Sequence, residues 1–249
     1  MKFSDFQFNT QINKAISTFG FLNPTPIQQQ VIDPILKEKD ILGIAQTGTG
    51  KTAAFMLPTV QRLLDSSGNG TRVLVLAPTR ELAEQIQEFT RSLIEGTRLK
   101  SLAVYGGVSK QKQVNQLRAG VDIVIACPGR LLDLVSDRAV NLGRIEVLVL
   151  DEADHMLDKG FLPDLRRIVK MLPVKRQSLV FSATMPKEIQ HLAESILSNP
   201  LRIQITPTGE KRKIAHKAYR VEQSRKTDLL LHLLQDNAMS STLIFTRTK

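Results

Sequence analysis

The sequence contains no tryptophan, only two tyrosines and a single cysteine, Cys127, among its 249 residues. One cysteine excludes an internal disulfide, and the four histidines are too scattered to form a zinc site with it. No run approaches the roughly eighteen apolar residues that a membrane helix needs, and the N-terminus shows no apolar signal region. We therefore expect a cytoplasmic protein with no membrane partner.

The charge is strongly one-sided, with a formal net charge of +10. This excess favours a polyanionic partner, although a basic, well-solvated surface accounts for it equally well. Nine Lys/Arg against four Asp/Glu lie in residues 210–249, so half of the excess is in the last forty residues. Because aromatic platforms are scarce, contacts with a sugar-phosphate backbone are favoured over base stacking.

Short apolar runs alternate with amphipathic helical stretches along most of the chain. The predicted strands are residues 41–45, 73–77, 102–105, 123–126, 147–150, 179–181 and 203–205, and amphipathic helices are predicted at 81–93 and 162–171. Most of the runs are apolar on both faces, as in buried parallel strands. We expect an α/β fold with a mostly parallel sheet and helices on both faces, with ligands bound beyond the carboxyl ends of the strands.

The last forty residues form a separate segment of the chain. Residues 206–213, TPTGEKRK, are a linker by composition. We predict a first domain at 1–207, a linker at 208–213 and the incomplete start of a second α/β domain at 214–249. The elements predicted in this last part are a strand at 215–221, a helix at 226–235 and a strand at 242–245. Three elements cannot close a core of their own.

The strongest local motif is AQTGTGKT, which ends at Thr52. It lies between a predicted strand and a predicted helix, as a P-loop requires. Gly48 and Gly50 would let backbone N–H groups approach phosphate oxygens. Lys51 would reach the β- and γ-phosphates, and the Thr52 hydroxyl would bind Mg²⁺. Ala45 replaces the usual first glycine, and the alternative is a glycine-rich turn with a surface lysine.

The tetrapeptide DEAD follows the predicted strand 147–150 directly. Asp151, at the end of that strand, could face the P-loop and hold Mg²⁺ through water, and Glu152 could orient or deprotonate the attacking water. Acidic residues in this position are usually a solvated loop or the first turn of a helix. The P-loop about a hundred residues upstream favours the functional interpretation.

The segment GFLNPTPIQ, which ends at Gln28, has two interpretations. Thr25 suits a helix N-cap, Pro26 suits the first helical position, and Gln28 lies three residues after the cap. This spacing is that of a capping box. On spacing alone the capping box is the preferred interpretation.

Four further segments, PTRELA, GG, CPGR and SAT, each follow a predicted strand. Thr79 and Arg80 could hold phosphate, or Thr79 could simply cap the helix. Gly107 marks either a turn or a close backbone approach to a ligand. Each segment alone is more often structural, but all four lie on the ligand-binding side of the predicted sheet.

Taken in order, these segments resemble the DEAD-box family of ATP-dependent RNA helicases, in a spelling closest to bacterial members. Phe3 also lies seventeen residues before Gly20, where the family has an upstream aromatic residue. The resemblance runs from Phe3 to about Ile205, and LIFTRTK at residues 243–249 resembles the first segment of the family's second domain. It implies a RecA-like P-loop NTPase domain, followed by a fragment of a second RecA-like domain.

The resemblance also implies roles for individual residues, with ATP and Mg²⁺ as cofactors. Gln28 would read the adenine edge, supported by Phe3 and Phe21, which displaces the capping-box interpretation. The implied ATP-binding residues are Phe3, Phe21, Gln28, Ala45, Gln46, Thr47, Gly48, Thr49, Gly50, Lys51 and Thr52. The implied catalytic residues are Lys51, Asp151, Glu152, Ser182 and Thr184, with Thr52 and Asp151 at the metal. The implied RNA contacts are Pro78, Thr79, Arg80, Gly107, Gly129 and Arg130.

The implied activity is ATP hydrolysis coupled to local unwinding of RNA duplexes gripped by their backbone. Cys127 replaces the usual threonine before PGR, which puts one RNA hydrogen bond in doubt. The second-domain arginines that stabilise γ-phosphate charge are missing, so we expect the chain alone to bind nucleotide, bind RNA weakly and hydrolyse slowly. It is most simply a fragment that needs a complete second domain. The alternatives are another P-loop ATPase and a nucleotide-gated RNA-binding module without useful catalysis.

Overall fold

The computed structural model describes residues 1–205, 215, 217–235 and 241–246. The chain divides into two compact units, Met1–Pro207 and Thr208–Lys249. Across the described ranges, no helix combines the length and the apolar character needed to cross a bilayer.

The first unit is built on a seven-stranded sheet in which every described strand pairing is parallel. The strands are β1 (Ile41–Ile44), β2 (Val73–Leu76), β3 (Ser101–Val104), β4 (Ile123–Ala126), β5 (Val147–Leu150), β6 (Gln177–Ser182) and β7 (Leu201–Gln204). Their order across the sheet is β3-β4-β2-β5-β6-β1-β7. All seven predicted strands are therefore confirmed: β4 and β5 have the predicted bounds, and the ends of the other five differ by at most two residues.

Helices cover both faces of this sheet, as predicted. They are α1 (Thr10–Thr18), α2 (Pro26–Leu36), α3 (Lys51–Asp65), α4 (Arg80–Leu93), α5 (Lys110–Arg118), α6 (Pro128–Ser136), α7 (Ala153–Asp158), α8 (Leu162–Lys170) and α9 (Lys187–Ile196), preceded by a 3₁₀ turn, Phe3–Phe6. Successive strand residues point to opposite faces, so Ile41 joins one core and Leu42 the other. Helices α1–α4 pack on the first core and α5–α9 on the second.

Among its described residues, the second unit contains a 3₁₀ turn, Gln223–Arg225, and one helix, α10 (Lys226–Leu234). This helix confirms the one predicted at 226–235. The two predicted strands are wrong where they can be judged: residues 215, 217–221 and 242–245 carry no strand assignment. Residue 216 and the linker residues 208–213 lie outside the described part of the chain.

Because the strands are parallel, their carboxyl ends all lie at one edge of the sheet. β6 lies between β1 and β5, so the loops after these three strands are neighbours. The backbone registers extend past the strands: Ala45 N–H donates to the Ser182 carbonyl at 3.0 Å, and Asp151 N–H donates to the Leu76 carbonyl at 3.0 Å. The loops after β2, β4 and β3 form the other half of this edge.

Candidate nucleotide and nucleic-acid site

The loop between β1 and α3 holds a buried lysine. Lys51, the first residue of α3, is 6% exposed, and its Nζ donates to the carbonyls of Ala45 at 3.1 Å and Gln46 at 2.9 Å. Gly48 and Gly50 have φ angles of 77° and 87°, a left-handed region that glycine adopts without strain. The loop therefore encloses an ammonium group at the N-terminus of a fifteen-residue helix, which is an arrangement suited to anions.

Asp151 lies directly after β5 and is 2% exposed. Burial raises its pKa to about 6, and the positive charge of Lys51 opposes that rise. Its Oδ1 accepts a 3.1 Å hydrogen bond from the Glu152 N–H. The structure thus brings the Lys51 ammonium and the Asp151 carboxylate into one electrostatic neighbourhood, with β6 between their strands.

Glu152 occupies a backbone conformation that is uncommon for a residue with a side chain. Its φ and ψ are 54° and 53°, and it is the N-cap of α7. Its Oε2 lies 3.0 Å from Nδ1 of His155, one turn along that helix. A non-glycine residue keeps a left-handed conformation only where the surrounding structure holds it, and such residues cluster at functional sites.

The segment after β6 is tied to the DEAD segment through Asp154, a residue that sequence analysis gave no role. Its Oδ2 accepts from Thr184 N–H at 2.9 Å and Thr184 Oγ1 at 2.8 Å, while its own N–H donates to Ser182 Oγ at 3.2 Å. Burial opposes ionisation, but these hydrogen bonds hold the pKa of Asp154 below its usual value. The signal that could have found it is positional, because the parallel neighbours β5 and β6 end side by side.

Gln28 forms the capping box that the spacing favoured. Its Oε1 accepts from the Thr25 N–H at 2.9 Å. The same side chain also reaches the P-loop, where its Nε2 donates to the Gly50 carbonyl at 3.1 Å, and Thr25 Oγ1 donates to the Thr49 carbonyl at 2.8 Å. The expectation that the capping box would be displaced is therefore wrong: the box forms, and it is joined to the P-loop.

The two aromatic residues predicted beside Gln28 are in contact with each other. The rings of Phe3 and Phe21 stack with centroids 6.0 Å apart. Phe3 is buried in the first core, and Phe21 is half-buried against it. They form an apolar wall near the start of α2.

The residues present fit a nucleotide with a bound magnesium ion. Thr52 is half-buried in the first turn of α3, after the exposed residues Gln46, Thr47 and Gly48. Among the described residues there is no cluster of three or more His, Cys, Asp or Glu side chains arranged for a metal. A site with one carboxylate and one hydroxyl suits Mg²⁺, which takes its other oxygens from phosphate and water.

The other half of the edge carries the residues predicted to contact RNA. Thr79 caps α4 by accepting from the Leu82 N–H at 3.2 Å, so its capping role is real. Arg80 is exposed in the next position. Gly107 is exposed with a φ of 80°, and no atom lies near its missing side chain.

Two of the residues predicted to contact RNA, Pro78 and Arg130, are buried or hydrogen-bonded within the protein. Pro78 is buried. Arg130 donates to the Val108 carbonyl at 3.3 Å and to Gln113 Oε1 at 2.9 Å. It therefore supports the loop that contains Gly107, and its contact with RNA stays a prediction.

Cys127, the residue that departs from the family pattern, is half-buried at the N-cap of α6. Its thiol makes no capping hydrogen bond to that helix. Burial raises the pKa of the thiol to about 11, so it remains protonated and unreactive at neutral pH.

Comparisons with known proteins show which family the chain belongs to. The DEAD/DEAH box helicase family model matches residues 25–192. The chain is 40% identical over 248 residues to the DEAD-box ATP-dependent RNA helicase RhpA of Helicobacter pylori, covering 99% of this chain and 50% of that protein. It is 41% identical to the ATP-dependent RNA helicase CshA of Listeria monocytogenes, covering 100% of this chain and 48% of that protein.

A solved structure gives the same answer for the fold. A hypothetical ATP-dependent RNA helicase from Sulfolobus tokodaii is similar with a TM-score of 0.73 and 36% identity, over 79% of this chain and 57% of that one. The chain spans about half the length of the curated relatives it matches. Its sheet is a RecA-like α/β fold of the kind found in that helicase. The chain belongs to the DEAD/DEAH box helicase family.

Proposed function

We propose that this chain is the nucleotide-binding part of a cytoplasmic ATP-dependent RNA helicase. ATP and Mg²⁺ would bind beyond β1, β6 and β5, and the RNA backbone beyond β2, β4 and β3. The observation that carries this proposal is the electrostatic interaction between buried Lys51 and buried Asp151, which follow strands on either side of β6. The RNA substrate is supported by the names of the similar helicases from H. pylori and L. monocytogenes.

Each side chain has a task that its position supports. Lys51 would exchange its two carbonyl partners for phosphate oxygens. Asp151 and the Thr52 hydroxyl would hold the metal, whose chemistry is to neutralise charge on the phosphates. Glu152 would orient or deprotonate the attacking water, with its carboxylate held by His155.

The Asp154–Thr184 hydrogen bonds give a route for coupling. They join the segment that follows the metal-binding carboxylate to the segment that follows β6. A shift of the DEAD segment on nucleotide binding would be passed to Ser182 and Thr184 through these bonds. This is the contact through which the predicted coupling between hydrolysis and unwinding would run.

Gln28 would read adenine from its place beside the P-loop. Its Oε1 and Nε2 each make one hydrogen bond within the protein, so the amide keeps a second N–H and a second lone pair for an adenine edge. An adenine bound to Gln28 would then be connected, through the same side chain, to Gly50, the N-cap of α3.

Titration with a fluorescent ATP analogue in the presence of Mg²⁺ tests the assignment. Lys51→Ala should weaken binding by about a hundredfold or more, because the phosphate charge loses its buried partner. Lys39→Ala is the matched control, since Lys39 is exposed at the opposite end of β1, and it should bind as the unaltered chain does. Equal affinity of the two variants would refute the P-loop assignment.

The same titration separates this function from that of another P-loop ATPase. Competition by ATP and GTP should show a preference for ATP that Gln28→Ala removes. If Gln28→Ala kept the full preference, adenine would be recognised elsewhere, although the P-loop assignment would stand.

A further inference from the structure

A three-residue cluster lies on the proposed RNA edge, between α4 and the end of β3. Oε1 of Glu84 accepts a 2.5 Å hydrogen bond from the Tyr105 hydroxyl and a 3.2 Å hydrogen bond from Arg80 Nε. The Arg80 guanidinium also lies 5.0 Å from the centroid of the Tyr105 ring. One carboxylate therefore engages both the predicted phosphate-binding arginine and the tyrosine beside it.

The cluster follows from the sequence. Arg80 and Glu84 are four residues apart in α4, a spacing that puts them on one helix face. Tyr105 is the first residue after β3, the edge strand of the sheet, and it precedes the Gly106–Gly107 pair. The cluster thus joins two of the segments that carry predicted RNA contacts.

The cluster also places a negative charge on this edge. The hydrogen bond from Tyr105 and the interaction with Arg80 lower the pKa of Glu84, so its side chain is a carboxylate at neutral pH. A phosphate that approaches Arg80 meets this charge within a few ångströms, where solvent screening is incomplete. To use Nε of Arg80, the phosphate must replace the carboxylate.

We propose that Glu84 is an internal competitor of the RNA backbone: it occupies Arg80 and Tyr105 and so weakens RNA binding until a phosphate displaces it. This inference rests on the proposed function, because it assumes that RNA binds at the Arg80 edge. It adds a residue that sets RNA affinity without touching the nucleotide site. Glu84 acts here through Arg80 and is not a catalytic residue.

The test compares two carboxylates on the same helix. Glu84→Gln keeps an oxygen that can accept from Tyr105 and removes only the charge. Glu88→Gln makes the same charge change one turn further along α4, at an exposed position for which the described structure gives no ion pair. Fluorescence anisotropy of a labelled single-stranded oligouridine, titrated with the 249-residue chain at low salt, gives the affinities.

Glu84→Gln should bind RNA about two- to fivefold more tightly than Glu88→Gln, which controls for net charge alone. Glu84→Ala should also exceed Glu88→Ala, and the difference should shrink at high salt because the effect is electrostatic. Equal affinities of the matched variants would overturn the inference. Weaker binding by Glu84→Ala would overturn it too, because Glu84 would then hold Arg80 in place for RNA.

RNA binding at the Arg80 edge and competition by Glu84 are refuted by different results. If the unaltered chain and the Glu88 variants bind oligouridine but the Glu84 variants gain nothing, only the competition is refuted. If no variant binds oligouridine at any concentration, both the RNA edge and the competition are refuted. Nucleotide affinity should stay unchanged in all four variants, since α4 contributes no residue to the P-loop.

Discussion

At the scale of single residues, the two aspartates of the DEAD segment have opposite electrostatic roles. Burial raises the pKa of Asp151 to about 6, whereas for Asp154 the effect of burial is outweighed by hydrogen bonds with Thr184 and Ser182, which hold its pKa below the usual value. Ionising Asp151 is therefore costlier in the folded chain than in water, whereas ionising Asp154 is easier. A carboxylate that is costly to ionise gains most from a bound cation.

Asp151→Asn should stabilise the nucleotide-free chain at neutral pH. An unfolded aspartate titrates near pH 4, so between about pH 4 and pH 6 the folded state binds more protons and its stability falls as the pH rises. The asparagine variant cannot ionise and so does not lose this stability. Above pH 6 it should be more stable than the unaltered chain, by on the order of 3 kcal/mol at most. Urea unfolding between pH 4 and pH 8 measures the difference.

Asp154→Asn is the matched control with the opposite sign. A lowered folded pKa contributes stability above the unfolded pKa, and this contribution is lost as the pH falls through the folded value. That variant should therefore be less stable than the unaltered chain at pH 7, with a deficit that shrinks in acid. A destabilised Asp151→Asn at pH 7 would mean that attraction to Lys51 outweighs burial.

The sequence indicated most of the candidate site residues, but it did not indicate which of them contact one another. The P-loop and Asp151 were predictable because each follows an apolar strand, and parallel strands end at one edge. Asp154 escaped notice because its role depends on β6 lying beside β5, which no local pattern encodes. Gln28 was ambiguous because its spacing fits both a capping box and an adenine contact, and the structure shows it bonded to Thr25 and Gly50.

At the scale of elements, the packing of β6 against α3 depends on a glycine in the neighbouring strand β1. A Cβ added to Gly43 would lie 2.6 Å from the ring of Phe181 on the neighbouring strand β6. Phe181 is fully buried and packs against Phe55 of α3, with ring centroids 5.5 Å apart. The ring fills the space above Gly43, next to the strand end that begins the P-loop.

Gly43→Ala should destabilise the first unit by about 1–3 kcal/mol, because a buried ring must move to admit one methyl group. Gly106→Ala is the control, since its added Cβ meets no atom within 4 Å and its φ is not positive. Denaturant unfolding measures both. If Gly43→Ala were as stable as Gly106→Ala, the ring of Phe181 would have room that the packing does not show.

Strands were predictable as elements, but their neighbours were not. The runs 73–76, 123–126 and 147–150 are apolar on both faces, which marks buried parallel strands. The order β3-β4-β2-β5-β6-β1-β7 depends on which crossover packs on which face. The strands predicted at 215–221 and 242–245 carry no strand assignment at the residues that the structure describes, and no local pattern indicated this.

At the scale of the whole molecule, the two units differ in how far their described apolar side chains are buried. Both core clusters lie within residues 1–207. The described residues of the second unit include no buried side chain, and Leu231, Leu243 and Phe245 are exposed. The first unit therefore has what it needs to fold alone, and the second has unsatisfied apolar surface.

The 249-residue chain and a polypeptide ending at Pro207 should bind ADP with equal affinity, since the proposed site lies wholly in the first unit. Neither should hydrolyse ATP rapidly. An arginine supplied to the γ-phosphate by another domain is worth about 10³–10⁵ in rate, and the relatives it matches are about twice as long as this chain. Multiple-turnover phosphate release, with and without oligouridine, measures the rates.

Comparing the two polypeptides shows which residues are needed for ADP binding and which for fast ATP hydrolysis. If both bind ADP and both turn over slowly, nucleotide binding belongs to residues 1–207 and fast hydrolysis requires residues beyond this chain. If the longer chain alone showed RNA-stimulated turnover, residues 208–249 would supply a catalytic group. Loss of ADP binding in the shorter polypeptide would instead show that the second unit helps to form the site, because the first unit's core and P-loop are the same in both.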